Sequence, residues 1–348
     1  MVWAKSQPSV RYNLARSGVP KLSLRDLPID LSEVDINGPN SYGFEKLLHQ
    51  IAQRYGVASN RIVLTQGTSF ANYLAYAGIL RPGDEVIVED PTYQVLAQLP
   101  ELFGAKTVTL PRRFENNYQI DLAELRKKCS SRTRLIVLTN LHNPSGVLLR
   151  QDVLREIGQI AARQRAWVLV DEVYLETLYQ RRPPAATSLG DNFISTCSLT
   201  KGYGLDGLRC GWLICHEKLA DQLRKLNDFM GVVGVFISEN LSALLFPHLS
   251  AIGARHEMIL KQNFTALLEL LDSHPEWRCV LPDGPMIAFP RHQGIHDIEP
   301  FVGRLRDEHE TLIVPGKFFG QSAHFRIACG IEPIDFSAAL DRLSRILY

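Results

Sequence analysis

The sequence predicts an α/β fold: a three-layer, doubly wound, mostly parallel seven-stranded sheet, with a smaller α+β domain drawn from both chain termini. Three observations predict it. Seven short apolar runs between residues 59 and 215 alternate with amphipathic stretches. Most of those runs are apolar on both faces, as strands are when helices cover the sheet on either side. After Cys215 the alternation stops, and long helical periods with scattered short runs follow, which marks a change of architecture.

The runs lie at 61–65 (RIVLT), 85–88 (EVIV), 107–110 (TVTL), 135–139 (LIVLT), 167–170 (WVLV), 193–197 (FISTC) and 210–214 (CGWLI). They are rich in Val, Ile and Leu, the composition of buried parallel strands. Helical periods fill 70–80, 93–102, 122–129 and 150–163 between them. Beyond the sheet, 218–227 and 254–273 read as helices, the second closed by His274-Pro275. Short runs at 285–289, 311–314 and 324–328, with helices at 299–310 and 335–347, complete an α+β segment. The first forty or so residues are too few to fold alone and are expected to pack on that segment. The chain thus divides into a large domain, 41–245, and a small domain, 1–40 with 246–348.

Composition narrows the function classes. Lys and Arg total 38 against 37 Asp and Glu, so charge gives no ground for a nucleic-acid or membrane partner. The N-terminus has no apolar core of a secretory signal, and the longest apolar candidate for a span, 230–237, is far too short. The six cysteines are scattered without a CxxC pair, which reads as reduced, buried thiols of a cytoplasmic protein. The histidines show no HExxH or paired ligand spacing, so no metal site is expected.

Ligands of a doubly wound sheet bind at the carboxyl ends of its strands, so the residues after each run carry the chemistry. Gln66-Gly67-Thr68-Ser69 follows the first run and opens a helix. Gly67 lets a ligand approach the backbone and the helix N-terminus offers free N–H groups to an anion, although the same turn serves as a plain cap. His142-Asn143-Pro144-Ser145-Gly146 follows the fourth and, alone, is a turn. Asp171-Glu172-Val173-Tyr174 follows the fifth, and a desolvated carboxylate there needs a partner. Ser198-Leu199-Thr200-Lys201 follows the sixth, with Arg209 shortly after. Together these place an anion cradle, a carboxylate, hydroxyl and amide donors and a lysine on one sheet edge. That is the set required by pyridoxal 5′-phosphate (PLP), which needs a Schiff-base lysine, an acid for its ring nitrogen and a phosphate pocket.

Ser198-x-x-Lys201 with Gly204-Leu205, Gly207-Leu208-Arg209 and Gly211-Trp212 resembles the PLP-lysine signature of class I/II aminotransferases, which are fold type I PLP enzymes. The resemblance runs from about Gly43 to the C-terminus, and Asn143, Asp171, Tyr174, Lys201, Arg209 and Arg326 match it in order and approximate spacing. It implies that Lys201 forms the internal aldimine and then moves the substrate α-proton, and that Asp171 pairs with the pyridinium nitrogen. Tyr174 and Asn143 would hold the ring O3′ oxygen, Tyr93 would stack on one ring face and Val173 would pack the other. Gly67, Thr68 and Ser69 at the helix N-terminus, with Ser198 and Arg209, would bind the phosphate. Arg326 would grip the substrate α-carboxylate, beside Asn143, and Gly38 in Asn37-Gly38-Pro39-Asn40 would close over the substrate through its backbone.

The pattern departs from the family in three places. Its phosphate-reaching tyrosine stands several residues before the glycine matching Gly43, whereas here Tyr42 is adjacent to it; Leu47-Leu48 replaces the usual Leu-Arg; and no second arginine for a dicarboxylate side chain is identified, although Arg11 and Arg16 lie in a segment able to line the site. The resemblance implies a homodimeric enzyme moving an amino group between an L-amino acid and a 2-oxo acid. The alternative is another fate of the same carbanion, elimination or cyclisation, since 11–19, 284–291 and 314–321 resemble capreomycidine-synthase-like members. A PLP-sensing regulator would need a helix-turn-helix, for which the residues before the sheet show no pattern. A nucleotide-binding Rossmann enzyme would need GxGxxG or GK[ST], and in Lys201-Gly202-Tyr203-Gly204 the glycines follow the lysine.

Overall fold

The computed structural model describes residues 2–345. All seven predicted runs are strands: β1 (Ile62–Gln66), β2 (Glu85–Asp90), β3 (Lys106–Pro111), β4 (Thr133–Thr139), β5 (Trp167–Asp171), β6 (Phe193–Ser198) and β7 (Cys210–Ile214). They form one seven-stranded sheet in the order β1-β7-β6-β5-β4-β2-β3. β7 runs antiparallel to both of its neighbours, and the remaining pairs are parallel. Six carboxyl ends therefore share one edge, and the reversed β7 begins at that same edge, which brings Arg209 there.

Alternation along the strands fills both faces. Val86, Val88, Leu135, Val137 and Leu169 point to one side and meet Ala71, Leu74 and Ala75 of helix Thr68–Ile79. Ile87, Ile136, Leu138, Val168 and Val170 point to the other and meet Leu154 and Ile157 of helix Gln151–Arg163. On that second side, Ile62, Leu64, Trp212 and Ile214 pack on Leu47 and Ile51 of helix Glu45–Tyr55. Each such aliphatic side chain contributes about 2 kcal/mol by leaving water, and this rigid slab is what fixes the edge.

Besides the short helix Val2–Ser6, two longer helices escaped the sequence reading. Glu45–Tyr55 has no side-chain cap at its start and stops at Gly56, which is left-handed at φ 63°. Phe236–Leu245 buries even Glu239 and Asn240, so it lacks the polar face that periodicity detects.

Beyond the sheet, predicted helix 254–273 begins earlier, as Leu249–Ser273. Predicted run 311–314 splits into Thr311–Leu312, paired in parallel with Tyr12–Asn13, and Val314–Pro315, paired antiparallel with Phe325–Ala328. The last helix is Pro333–Arg345; positions 346 and 347 of its predicted span lie outside the described residues. Tyr12, Leu14 and Val19 share an apolar cluster with Leu260, Phe325 and Phe336. Leu22, Leu27, Ile29 and Val34 pack instead on the cluster of Leu47 and Trp212. The N-terminal segment therefore spans from the C-terminal elements to the sheet. All six cysteines are unpaired; Cys197, Cys210, Cys215 and Cys329 are buried, while Cys129 and Cys279 are half-buried rather than buried as expected. No helix among the described residues is long and apolar enough to cross a membrane.

Candidate active site

A cavity of about 790 Å³ opens at the carboxyl edge of the sheet. Lys201, Asp171, Tyr174, Val173, Asn143 and Tyr93 line it, as do Thr68, Ser69, Arg209 and Arg326. Residues from the carboxyl ends of five strands, from the start of β7 and from strand Phe325–Ala328 thus converge on one space.

Asp171 closes β5 and is 7% exposed. It accepts from Asn72 Nδ2 at 2.8 Å and from the Val173 amide at 3.1 Å. Thr196 in turn donates to Asn72 Oδ1 at 2.7 Å, so the amide cannot turn away. Burial raises the Asp171 pKa, and these donors together with the Lys201 charge oppose the rise. Asn72 lies one helical turn beyond Thr68 on the buried face. A polar residue among Ala71, Leu74 and Ala75 was the signal that could have found it.

Lys201 follows β6 in an irregular loop, and its Nζ donates to Ser17 Oγ at 3.2 Å. The Val19 amide donates to the Lys201 carbonyl at 3.1 Å. The N-terminal segment is therefore a roof over the lysine, which the sequence did not announce. Arg11 and Arg16 of that segment do line the cavity, and Arg16 stands 3.7 Å from Asp206.

At the phosphate end, Thr68 Oγ1 donates to Ser198 Oγ at 2.8 Å, and Ser198 and Thr200 hydroxyls lie 2.7 Å apart. Gly67, at φ 85°, precedes the helix, and a Cβ there would meet Arg209 Nη2 at 2.5 Å. Glycine is thus needed for both the turn and the close guanidinium. Gly67 and Ser198 stand directly behind the wall rather than on it.

The far wall is a relay. Arg326 donates through Nη1 to Asn143 Oδ1 at 3.0 Å and through Nη2 to the Ala15 carbonyl at 3.1 Å. The Asn143 backbone N–H donates to Thr139 Oγ1 at 2.9 Å, and Thr139 donates to Glu89 Oε1 at 2.5 Å. Glu89 is paired with the fully buried Arg112 at 2.7 Å. Beside them, His142 Nε2 faces the Pro91 carbonyl at 2.8 Å and so donates to it, leaving Nδ1 to accept from Ser145 at 2.6 Å. Burial and the nearby Arg112 hold its pKa well below the ordinary histidine value. Tyr93, hydrogen-bonded with Ser69, has its pKa raised by burial.

Gly38, expected over the substrate, is not brought to this cavity within the chain, and neither is Tyr42. Gly38 packs on Phe236, whose Cζ would lie 2.1 Å from a Cβ there. Tyr42 is exposed, with its hydroxyl 3.4 Å from Asp228 Oδ2.

The sequence matches the family model described as aminotransferase class I and II over residues 30–343. The chain belongs to that family. This aminotransferase is 34% identical over 314 residues to capreomycidine synthase of Streptomyces vinaceus, covering 89% of this chain and 80% of that one. It is 29% identical over 309 residues to arginine–pyruvate transaminase of Pseudomonas aeruginosa, covering 84% and 78%. The crystal structure of a PLP-dependent aminotransferase from Streptococcus suis superposes with a TM-score of 0.89 at 27% identity, covering 97% and 94%. The aminotransferase is a fold type I PLP enzyme of the transaminase class.

The residues present fit that cofactor. A helix N-terminus, the linked hydroxyls of Thr68, Ser198 and Thr200 and the Arg209 guanidinium form an anion cradle at one end. The desolvated carboxylate of Asp171, which lines the same cavity, would pair with a protonated ring nitrogen. Opposite them, Arg326 lines the cavity with a guanidinium held by Asn143 and the Ala15 carbonyl, a cation placed for a carboxylate.

Proposed function

We propose that this aminotransferase moves the amino group of an L-amino acid to a 2-oxo acid with PLP carried on Lys201. The observation carrying this reading is that Lys201, Asp171 and Arg326 face a single cavity. When bound, PLP supplies a ring that withdraws electrons from the substrate α-carbon. Asp171 keeps a negative charge at the ring nitrogen, oriented by Asn72 and so by Thr196. Tyr174 and Asn143 hold the ring hydroxyl oxygen; Tyr93 and Val173 flank the ring. Thr68 and Ser69, after the Gly67 turn, would bind the phosphate with Arg209, and Ser198 would support Thr68 from behind. Arg326 orients the α-carboxylate so that the α-proton meets the Lys201 amine, which takes it and later returns it. The roof of residues 14–19 excludes water from that transfer.

The test is direct. Borohydride treatment of the PLP-loaded protein should fix an adduct on Lys201, and an amino-acid panel with 2-oxoglutarate should yield glutamate. No adduct on Lys201 would sink the reading. A second reading, cyclisation or elimination, is favoured by the 34% identity to capreomycidine synthase; release of a cyclic product, or of keto acid and ammonia without any acceptor, would establish it instead.

The enzyme is also proposed to be a cytoplasmic homodimer with the large domain 41–245 at its interface and the small domain built from 1–40 and 246–348. Supporting this is a run of exposed apolar side chains, with Phe229 at 87% and Val232 at 72%, near Tyr42, whose hydroxyl reaches Asp228. A partner seated there would bring Gly38 and Tyr42 beside the second copy, the setting in which either could serve a site.

A further inference from the structure

The lysine loop poses a problem of precision. Residues 199–205 join β6 to the short turn Asp206–Leu208 without any strand or helix of their own, yet a proton-transferring amine loses rate steeply when misplaced by an ångström. The N-terminal segment holds the Lys201 and Gly204 carbonyls; the loop is also held from behind.

Behind it lies a buried charge cluster that takes no part in the cavity wall. Glu176 is 1% exposed. Its Oε2 accepts from Arg54 Nη2 at 2.6 Å and from the Tyr203 hydroxyl at 2.7 Å. Its Oε1 accepts from the Tyr55 hydroxyl at 3.0 Å and lies 3.4 Å from Arg182 Nε. Arg54 also bonds Tyr203 Oη at 2.7 Å. Burial works to raise the Glu176 pKa, but the two arginines and the Tyr203 hydroxyl bring it below the ordinary value, so the carboxylate is charged.

Two straps reach the loop, one from the cluster at Tyr203 and one from the turn bearing Glu176 at the Gly202 carbonyl. Tyr203 is two residues beyond Lys201, and its ring is fully buried. The Tyr179 hydroxyl donates to the Gly202 carbonyl at 2.8 Å, and Gly202 lies against the backbone of Glu176, 3.5 Å from where a Cβ would be. Glu176 itself is two residues beyond Tyr174, in the turn Leu175–Arg181. One carboxylate thus ties the tyrosine of the cavity wall to the loop bearing the lysine.

We infer that Glu176 is a positioning residue for the reaction, setting the Lys201 amine relative to Tyr174 through Tyr203 and the Gly202 backbone. The inference rests on the reading of Lys201 as the cofactor lysine. Stability alone is a poor account of the cluster, because buried ion pairs contribute little beyond what apolar side chains of equal volume would.

Tyr203→Phe removes one hydroxyl and keeps the ring; Glu176→Gln keeps the shape and removes the charge. Both are compared with wild type as PLP-loaded enzyme by half-reaction kinetics, and without PLP by hydrogen–deuterium exchange of 199–205 and by thermal unfolding. Tyr203→Phe is expected to retain its melting temperature within a few degrees, to exchange about tenfold faster over the loop, and to lose about tenfold in the rate of the amino-acid half-reaction with substrate Kd unchanged. Glu176→Gln, where it folds, should show larger effects of the same kind. Unchanged exchange and rate in Tyr203→Phe would overturn the inference, as would a lower melting temperature with an unchanged rate. Absence of a borohydride adduct on wild-type Lys201 would overturn the reading of the site itself, whatever the variants do.

Discussion

Arg326 donates to the side-chain oxygen of Asn143 at 3.0 Å, so the arginine opposite the lysine and the amide beside the ring position form one unit. Through Thr139 that unit is anchored to the buried Glu89–Arg112 pair. Replacing Arg326 with Lys keeps the charge but removes the planar fork. The expected outcome is a KM for the amino acid raised about 100-fold, with the absorbance of bound PLP little changed. Steady-state kinetics beside a cofactor spectrum checks it; loss of PLP together with KM would show that Arg326 acts on the cofactor instead.

Asn72→Ala leaves a buried oxygen of Asp171 without its donor. A lost bond to a buried carboxylate costs about 1–3 kcal/mol, read as a lower melting temperature. Asp171 would also turn more freely, and the half-reaction rate should fall about tenfold. A stable variant of full rate would remove Asn72 from the site.

Gly67→Ala places a methyl 2.5 Å from Arg209 Nη2 in a backbone at φ 85°. The guanidinium must withdraw from the cradle. Loss of one charge-assisted hydrogen bond, about 1.5–3 kcal/mol, corresponds to a PLP Kd roughly 10- to 150-fold higher. Titration of cofactor-free protein with PLP measures it, and an unchanged Kd would place the phosphate elsewhere.

His324 is 4% exposed and stacks on Phe289 at 4.7 Å. Burial, with the Arg291 charge, lowers its pKa to about 4. The unfolded chain therefore binds the proton first. The stability this group contributes is complete above about pH 6.5 and is lost as pH falls toward 4, at up to about 1.4 kcal/mol per unit. Glu172, raised by burial to about 7, acts in the opposite sense over part of that range. The clean observable is thus the difference between wild type and His324→Gln, whose stability should fall less steeply between pH 6.5 and 4. Parallel denaturation curves for the two proteins would contradict it.

Charged side chains at Phe229 and Val233, both exposed, should disrupt the proposed dimer without unfolding the subunit. Sedimentation of Phe229→Asp/Val233→Asp should show monomer where wild type shows dimer. A wild type that sediments as monomer would end that proposal.

The seven strands were legible because most are apolar on both faces, and the residues following them marked the cavity because strand ends share an edge. Lys201, Asp171, Asn143 and Arg209 were readable for that reason. Ser17 was not, since it meets Lys201 across 184 residues of sequence, and neither was the Ala15 carbonyl, 311 residues from Arg326. No local pattern encodes such contacts. Asn72 and Glu176 fell between these cases. Both are polar residues in apolar surroundings, but their partners come from other elements, so a reading confined to the strand ends passed over them.

The roof over Lys201 has a consequence for folding. Leu14 accepts from the Ala328 amide, and Ala15 accepts from Arg326 across 311 residues of sequence. Contacts of that span give up chain entropy before they repay it. The cover of the lysine and the strand bearing Arg326 therefore become ordered together.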